Sequence, residues 1–240
     1  MLLSLIVPAY NEEKTIEKLL EKVFAVPVEK EVVVINDCSR DGTKTILEKI
    51  EKKIAQSNHK FVKKLTIIHK PKNEGKGAAI RTGIKYITGD IVTIQDADLE
   101  LDPHEYPRLL EPFEKYNADI VFGSRFQIAG TRRVFPRKNY FPNRVLTTFS
   151  NLLSGIQLTD MEVCYKAFRR ELIVSFNLEA DRFGIEPELA AYAAKAVRAG
   201  KIMYEIPVTY NPRSNEQGKK IGIKDGIKAL WEIVKYNLFR

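Results

Sequence analysis

The sequence predicts an α/β protein with a mainly parallel central sheet flanked by helices. Within residues 1–123, apolar segments typical of strands alternate with helical segments of ~10–15 residues, which is the pattern of βαβ units. In Asp90–Gln95 the run is apolar on both faces, as expected of a strand inside a parallel sheet. No linker rich in Gly, Ser or Pro divides the 240 residues, so we predict a single domain, residues 1–240.

Nine elements are predicted in the first half, where each strand is a short apolar run and each helix fills the longer segment between two runs. The predicted strands are Leu2–Val7, Glu31–Asn36, Lys64–His69, Asp90–Gln95 and Asp119–Gly123. The predicted helices are Glu12–Phe24, Thr43–Ile54, Gly77–Ile87 and Pro103–Tyr116.

After Gly123 the regular alternation ends. A long basic loop is predicted first, and the remaining elements follow it. They are a helix near Asn143–Leu153, a short strand around Val163–Phe168, a helix at Glu186–Ala199, an extended segment Ile202–Tyr210 and a terminal helix Asp225–Phe239.

The terminal helix carries an apolar stripe at i, i+3, i+4, i+7 spacing with lysines between its members. The stripe consists of Ile227, Leu230, Trp231, Val234, Leu238 and Phe239. Packing against the core is the preferred explanation. Aromatic and basic residues together also suit the headgroup region of a membrane, so an interfacial role stays open.

The net charge of +8 is unevenly distributed. No acidic residue lies between Asp119 and Asp160, and the tail from Arg213 to Arg240 is basic as well. The basic residues of the acid-free interval are Arg125, Arg132, Arg133, Arg137, Lys138 and Arg144. Charge of one sign concentrates anionic partners, such as nucleic acid, anionic lipids or phosphorylated substrates.

Targeting signals are not evident in the sequence. Residues 1–7 are too short for a signal peptide and lack a basic start. No stretch reaches the ~18 consecutive apolar residues of a membrane-spanning helix. Cys38 and Cys164 give no indication of a disulfide. A reduced, cytoplasmic setting is therefore expected.

Two carboxylates, Asp96 and Asp98, follow the strand Asp90–Gln95 directly. They would lie at the carboxyl edge of the sheet, where open α/β folds bind ligands, and on the same face of an extended chain. Such carboxylates suit Mg²⁺ or Mn²⁺, held together with substrate phosphates. Acidic residues after strands are also common as turn residues or helix caps, and for the tripeptide alone that alternative stays open.

Polar side chains also follow the first two strands. Asn11 and Glu12 come after the first strand, and Asp37 and Asp41 after the second. Asn11 and Asp41 also fit helix N-caps, whereas a carboxylate such as Asp37 can accept from a ribose hydroxyl or a base N–H. Lys76, near a glycine-flanked helix start, is placed to contact a phosphate or the base. The absence of G-x-G-x-x-G and of G-x-x-x-x-G-K-[ST] argues against NAD enzymes and P-loop NTPases.

Taken together, these segments resemble the family 2 glycosyltransferases, which are inverting enzymes of the GT-A fold. The matching segments of the first half are Pro8-Ala9-Tyr10-Asn11-Glu12, Asn36-Asp37-Cys38-Ser39-Arg40-Asp41-Gly42-Thr43, Asn73-Glu74-Gly75-Lys76-Gly77, Asp96-Ala97-Asp98 and Gly123-Ser124-Arg125. Those of the second half are Thr159–Lys166, Gly184–Leu189, Tyr210–Ser214 and Gly218–Ile221. The second half is similar to the polyprenyl-phosphate glycosyltransferases, the subgroup that includes dolichyl-phosphate mannose synthase.

The resemblance implies a donor site in residues 1–123. The residues that would hold the nucleoside are Pro8, Tyr10, Asn11, Glu12 and Asp37, with Lys76 close by. Asp96 would contact the nucleotide, while Asp98 and Glu100 would bind the Mg²⁺ or Mn²⁺ that bridges the diphosphate. Asn36 stands where the family usually has Asp, so it is left out of the metal site. The lack of a Gln-x-x-Arg-Trp motif implies transfer of a single sugar.

Residues 124–240 would then bind the acceptor. A sugar hydroxyl acceptor needs a general base, whereas a phosphate monoester, with a second pKa near ~6, is already mostly dianionic and needs cations instead. The arginines predicted to hold such a phosphate are Arg125 and Arg213, with Arg132 and Arg144 as further candidates. If a base is required, the candidates are Asp160 first, then Glu186 and Glu188.

The function expected from the resemblance is metal-dependent transfer of one hexose from UDP-glucose or GDP-mannose to a polyprenyl or dolichyl phosphate. The enzyme would act at the cytosolic face of an anionic membrane as a peripheral protein. The main alternative is a soluble glycan or another lipid as acceptor, with Asp160 as base. A nucleic-acid-binding module and a nucleotidyltransferase fit less well, because the signatures of neither are present.

Overall fold

The computed structural model describes residues 1–57, 59–127, 137–212 and 223–239, and one seven-stranded sheet runs through them. The strands are β1 (Leu3–Ala9), β2 (Lys30–Asn36), β3 (Val62–His69), β4 (Ile91–Ile94), β5 (Ile120–Ser124), β6 (Lys166–Arg169) and β7 (Met203–Pro207). The helices are α1 (Ile16–Ala25), α2 (Thr43–Ala55), α3 (Lys76–Ile84), α4 (Tyr106–Lys115), α5 (Arg137–Ser154), α6 (Arg170–Ser175), α7 (Ile185–Arg198) and α8 (Ile223–Leu238).

The strand order across the sheet is β3-β2-β1-β4-β6-β5-β7. β1 pairs in parallel with β2 and β4, β2 with β3, and β5 with β7. Only β6 is reversed, and it lies antiparallel between β4 and β5. The predicted mainly parallel central sheet flanked by helices is therefore confirmed, with one reversed strand that the alternation did not indicate.

The central strands are buried on both faces, as the continuous apolar runs predicted. Two charged residues at the start of β2 are buried as well, and both have partners. Lys30 Nζ donates to the carbonyl oxygen of Val26 at 2.7 Å, and the Glu31 carboxylate accepts from Ser4 Oγ at 2.6 Å. The edge strand β3 exposes lysines instead, which discourages pairing with another sheet.

Several element boundaries differ from prediction. α5 begins at Arg137 and not near Asn143, so it includes the last residues of the predicted basic loop. α1 begins at Ile16 and not at Glu12, because residues 11–15 bond to the connection after β2: the Glu12 N–H donates to Thr43 Oγ1 at 2.9 Å. Asn11 there has a positive φ of 56°. Further along, β6 is shorter than the predicted strand, and α6, which directly follows it, was not predicted.

α8 packs against α5 and α7 beyond the sheet. Ile233 and Tyr236 on one face of α8 are buried, whereas Trp231 and Leu238 are 61% and 58% exposed. Core packing therefore accounts for one face of the terminal helix only. Among the described residues, no helix combines the length and the apolar character that crossing a membrane requires.

Candidate active site

The reversed strand β6 brings the two halves of the chain to one edge of the sheet. Because β6 is antiparallel to its neighbours, its first residue, Lys166, lies near the carboxyl ends of β4 and β5. The segment 159–165 therefore arrives at the same edge as residues 96–100, which follow β4, and residues 125–127, which follow β5. In an α/β sheet this edge is where ligands bind.

Gln95 fixes the end of β4 through hydrogen bonds of its side chain. Its side-chain oxygen accepts hydrogen bonds from the hydroxyls of Tyr106 and Tyr165, each at 2.6 Å, and its amide nitrogen donates to the Asp96 carbonyl at 3.0 Å. Burial raises the pKa of both tyrosines well above the ordinary value, so their hydroxyls stay protonated donors. The backbone from which Asp96 and Asp98 project is thus fixed by buried, neutral hydrogen bonds.

The predicted metal ligands lie in a tight turn after β4. The Glu100 N–H donates to Asp98 Oδ1 at 3.0 Å, and Leu99 between them has φ 64°. The Tyr210 hydroxyl donates to Glu100 Oε2 at 2.8 Å, and the Asn211 N–H donates to the Glu100 carbonyl at 2.8 Å. The structure therefore brings the two predicted ligands together and ties them to the segment after β7.

This donor set fits a hard divalent cation that completes its shell with substrate oxygens. Among the described residues no group of three or more His, Cys, Asp or Glu side chains is arranged to hold a metal ion. Mg²⁺ commonly takes one or two carboxylates together with phosphate oxygens and water. Asp98 and Glu100 supply that number of carboxylates.

Lys76 and Asp96 form a buried charge network with the second half. Lys76 Nζ lies 2.7 Å from Asp96 Oδ1 and 2.9 Å from Glu186 Oε1. The other oxygen of Glu186 pairs with Lys166, whose ammonium also donates to the Val163 carbonyl. Burial disfavours the charge of Lys76, but the two carboxylates outweigh it and raise its pKa. Lys76 is therefore a fixed cation beside Asp96.

Asp37 is buried, and its carboxylate organises the connection before α3. It accepts from Asn73 Nδ2 at 2.9 Å and from the N–H groups of Glu74 and Gly75 at 3.1 and 2.7 Å. Lys70 Nζ lies 3.0 Å from the other side of the same carboxylate. Gly75 has φ 97°, which favours glycine. Asp37 thus holds the loop that presents Lys76, in addition to any contact with a nucleoside.

Asn11 and Glu12 join the connection after β1 to the connection after β2. The Asn11 N–H donates to Ser39 Oγ at 3.0 Å, and Asn11 Oδ1 accepts from the Arg40 N–H at 2.8 Å. Glu12 Oε2 accepts from the Thr15 hydroxyl at 2.7 Å. Both predicted residues therefore lie at the expected edge, where they shape the two loops.

The remaining predicted nucleoside residues, Pro8 and Tyr10, lie at the end of β1 and are partly exposed there. Asn36, at the end of β2, is buried. Its amide nitrogen lies 2.9 Å from His69 Nδ1, and its oxygen accepts from the Ser39 N–H at 3.1 Å. These partners give Asn36 a structural role, in line with its exclusion from the metal site.

Arg125, directly after β5, forms a bidentate ion pair with Asp160. Arg125 Nε donates to Asp160 Oδ2 and Nη2 donates to Oδ1, both at 2.7 Å, and the Arg125 backbone N–H adds a third bond at 3.0 Å. Asp160 is fully buried. The guanidinium also lies over the rings of Tyr210 and Phe126, at 5.1 and 5.6 Å. Burial opposes the charge of Arg125, but Asp160 prevails and raises its pKa.

The other candidate bases are engaged as well. Glu188 is buried and accepts from the N–H groups of Glu179 and Ala180 at 2.8 and 2.9 Å. Glu186 is held by two lysines, which outweigh the effect of burial and lower its pKa. With its pKa lowered, Glu186 is a poor proton acceptor. Burial raises the pKa of Glu188, but two backbone N–H groups already occupy its carboxylate oxygens.

The further predicted arginines are only partly described. Arg144 Nη1 donates to the Thr159 carbonyl at 3.4 Å, which places it next to Asp160. Arg132 and Arg213 lie outside the described residues. The chain leading to Arg213 is described as far as Pro212, directly after the contacts of Tyr210 and Asn211 with Glu100.

Three residues of this edge were not singled out from the sequence. Gln95 and Tyr210 stand within segments that had been noted, yet only their hydrogen bonds show that they support the acidic turn. Glu162 lies two positions after Asp160, and its Oε1 is enclosed without a hydrogen-bond partner among the described residues. The sequence signal for Glu162 was its position within Thr159–Lys166, a segment that resembles the family.

The fold is that of the GT-A glycosyltransferases. The chain belongs to glycosyl transferase family 2, whose family model matches residues 4–175. The resemblance seen in the sequence is thereby confirmed, and the protein is a glycosyltransferase.

Similar proteins are known by sequence and by structure. A dolichyl-phosphate beta-glucosyltransferase of Trichomonas vaginalis is 29% identical over 99% of this chain and 73% of its own length. A polyprenol monophosphomannose synthase of Mycolicibacterium smegmatis is 27% identical over 97% of this chain and 86% of its own. Glucosyl-3-phosphoglycerate synthase from Mycobacterium tuberculosis, crystallised with UDP, superposes with a TM-score of 0.72 at 19% identity, covering 98% of this chain and 79% of that one. At that identity the structural likeness shows the fold alone.

Proposed function

We propose that this protein transfers one hexose, with inversion, from a nucleotide-diphosphate sugar to a polyprenyl or dolichyl phosphate. One observation carries the proposal. Relatives that align over 97–99% of this chain are named for glucosyl or mannosyl transfer, yet each is named for a polyprenol or dolichol lipid as well. The acceptor class is common to them and the sugar is not. The donor is therefore proposed only as UDP-glucose or GDP-mannose.

On the donor side, Asp98 and Glu100 would hold Mg²⁺ or Mn²⁺ against the diphosphate, and the metal would neutralise the charge of the leaving group. The glucosyl-3-phosphoglycerate synthase of the same fold was crystallised with either ion. Lys76, fixed beside Asp96, would add a cation near the phosphates. The residues proposed to bind the nucleoside are Pro8, Tyr10, Asn11, Glu12 and Asp37, the last through the loop that it organises.

On the acceptor side, Arg125 and Arg213 would hold the lipid phosphate. The Arg125–Asp160 pair supports this reading over the alternative of a sugar-hydroxyl acceptor. A fully buried carboxylate that accepts two guanidinium N–H bonds is poorly suited to remove a proton. A phosphate monoester needs no such removal, because it is mostly dianionic at neutral pH. In this reading Asp160 orients Arg125.

The donor is tested first, by thermal shift with UDP-glucose, GDP-mannose and UDP-N-acetylglucosamine, each with and without Mn²⁺. A donor that binds only the folded state stabilises it by about 2.7 kcal/mol at a hundredfold excess over Kd. Transfer is then assayed with a short polyprenyl phosphate, the corresponding unphosphorylated alcohol and a soluble sugar. We expect product with the phosphate alone. Product with the soluble sugar alone would replace this proposal by the alternative.

A peripheral membrane contact is part of the proposal, and the helices α5 and α8 supply a surface for it. Phe141, Leu152, Trp231 and Leu238 on these two neighbouring helices are 58–78% exposed. We expect the protein to pellet with anionic liposomes at low salt and to be released at high salt. Trp231→Ser should weaken pelleting, whereas Val174→Ser, a similarly exposed apolar residue on α6, should not. Equal pelleting of both variants would move the contact elsewhere.

A further inference from the structure

Glu162 differs from the neighbouring carboxylates at the carboxyl edge of the sheet. It lies in the segment between Asp160 and β6, which the reversed strand carries to the carboxyl edge of the sheet. Its Oε1 is enclosed, and no group within the described residues donates a hydrogen bond to that atom. A buried charged acceptor without a donor is costly, so an atom of this kind calls for an explanation.

The neighbouring carboxylates all have donors. Asp160 accepts from Arg125, Glu186 from two lysines, and Glu205 from the Thr159 N–H at 2.9 Å. At the opposite edge of the sheet, Glu31 is buried and accepts from Ser4, Thr88 and Gly89. Among the described residues, Glu232 Oε2 is also enclosed without a hydrogen bond, with Lys235 Nζ 4.0 Å away. Glu232 belongs to α8, however, whereas Glu162 lies in the segment that β6 brings to the carboxyl edge of the sheet.

Glu162 stands between the two charge clusters of the site. The pKa of Glu162 is raised to about 7: burial raises it most, Glu186 and Asp160 raise it as well, and Lys166 and Arg125 lower it. Glu186 belongs to the donor-side network through Lys76, and Arg125 is the proposed holder of the acceptor phosphate. The gap between these clusters is where the sugar of a bound donor would have to lie.

The chemistry of an unpaired carboxylate oxygen restricts its ligand. Phosphate and diphosphate groups would be repelled, because they carry negative charge and no proton to donate. A neutral group with an O–H donor matches the position, and the hydroxyls of a hexose are such donors. Sites built to hydrogen-bond a substrate hydroxyl discriminate strongly against substrates that lack it.

We propose that Glu162 binds a hydroxyl group of the donor hexose and thereby helps to select the sugar. The inference rests on the proposed function, since it requires a nucleotide-sugar donor. Without a bound sugar nucleotide, none of the residues that the structure describes donates to this oxygen, and a hydroxyl of the arriving sugar would supply that hydrogen bond.

The test compares binding of the sugar nucleotide with binding of the nucleotide alone. Calorimetry is run with UDP-glucose or GDP-mannose, whichever the wild type binds, and with the matching UDP or GDP. For Glu162→Ala we expect the Kd of the sugar nucleotide to rise about tenfold or more, the effect of losing a hydrogen bond to a charged group. The Kd of the nucleotide should stay within about twofold of wild type, since the bond is made to the sugar.

Glu31→Gln is the matched control. Both variants alter a glutamate with an enclosed carboxylate oxygen, but Glu31 lies at the opposite edge and accepts hydrogen bonds from Ser4 and Gly89. Glu31→Gln should lower the melting temperature at pH 7 and leave the ratio of the two Kd values unchanged. Glu162→Gln should keep or raise the melting temperature, because it removes an unsatisfied charge.

The pH dependence of stability provides a readout that does not use a ligand. The pKa of Glu162 is raised on folding, so its contribution is fully present below about pH 4.5 and is lost as the pH rises through 7. For Glu31, burial is outweighed by the hydrogen bonds from Ser4 and Thr88, and the pKa is lowered. Its contribution is present above the unfolded pKa and is lost as the pH falls. Glu162→Gln should therefore remove destabilisation between pH 5 and 7, and Glu31→Gln should not.

Three results would overturn the inference. Unchanged affinity of Glu162→Ala for the sugar nucleotide would leave the residue without a ligand role. An equal loss for sugar nucleotide and nucleotide would place Glu162 at the nucleotide. A wild type that binds no sugar nucleotide at all would remove the proposed function and this inference with it, and that outcome is separable from the other two because it already appears without any substitution.

Discussion

The proposed donor side and the proposed acceptor side, both at the carboxyl edge of the sheet, are built in different ways. On the donor side, the polar groups stand in loops that follow parallel strands, and these loops lie together because parallel strands end at the same edge of the sheet. On the acceptor side, a single reversed strand delivers Asp160 and Glu162 to that edge, where Asp160 is held by Arg125 from the end of β5. Ligand-facing groups on the donor side can therefore be removed with less damage to the fold than the buried pair on the acceptor side.

The largest effect is expected on the donor side, from Asp98→Asn. The substitution removes a charge from the proposed metal site but keeps the shape of the side chain and an oxygen for the Glu100 N–H. Metal stabilisation of a leaving group contributes several kcal/mol, so turnover should fall roughly a thousandfold or more. The melting temperature should stay near that of the wild type.

Two measurements decide this prediction: the rate of transfer, and the dependence of nucleotide affinity on Mn²⁺. Both should lose their response to metal in Asp98→Asn. Near-native turnover with Mg²⁺ or Mn²⁺ would show that the metal assignment is wrong.

Arg125→Ala tests the acceptor side and should affect fold and function together. It leaves Asp160 as an unpaired charge in a fully buried position, which typically costs about 3–5 kcal/mol of the free energy of unfolding. Urea denaturation measures this loss. Because a destabilised protein also loses activity, Arg125→Lys is the companion variant: it keeps the charge but not the bidentate geometry.

For Arg125→Lys we expect most of the stability to be retained, donor binding to be unchanged and transfer to polyprenyl phosphate to be strongly reduced. A loss of donor affinity would instead place Arg125 on the nucleotide diphosphate. Arg213 or Arg144 would then be the residue that binds the acceptor phosphate.

Asp37→Ala tests whether the two sides really differ. Asp37 belongs to the donor side, yet its carboxylate is buried and bonded to other protein groups, as that of Asp160 is on the acceptor side. Its carboxylate holds Asn73, Gly75 and Lys70 at 2.7–3.0 Å. We expect the nucleotide Kd to rise about tenfold, since one charge-assisted bond contributes about 1.5–3 kcal/mol. If the variant loses affinity only in proportion to its stability, then Asp37 acts through the loop and not on the nucleoside.

Tyr210→Phe has the smallest expected effect. It tests the hydrogen bond between Tyr210 and Glu100, which connects the two sides. Only the hydroxyl that donates to Glu100 is removed, while the ring beneath Arg125 remains. One hydrogen bond contributes about 1 kcal/mol, so the Mn²⁺ concentration for half-maximal nucleotide binding should shift about fivefold. A titration of metal at fixed nucleotide measures it, and Phe126→Leu, which leaves Glu100 untouched, should show no shift.

The donor side was largely predictable from sequence because its signals are local. An apolar run that ends in Asp96-Ala97-Asp98 indicates both a buried strand and an acidic turn after it, and the structure has β4 followed by that turn. The limits of prediction appear where side chains choose long-range partners. Lys76 pairs with Glu186, and Glu100 accepts a hydrogen bond from Tyr210. The two residues of each pair are 110 positions apart in the sequence, and no spacing rule predicts such contacts.

The sequence by itself determined the alternation of strands and helices, the edge at which the polar residues gather and the family, because each depends on periodicity or on short motifs. Only the tertiary structure decided which carboxylates at that edge accept hydrogen bonds from other described residues and which has an oxygen that accepts none of them. Asp160, Glu186, Glu188 and Glu162 look alike in the sequence. They differ because hydrogen-bond satisfaction depends on the reversed insertion of β6 and on the groups it brings within about 3 Å of each oxygen.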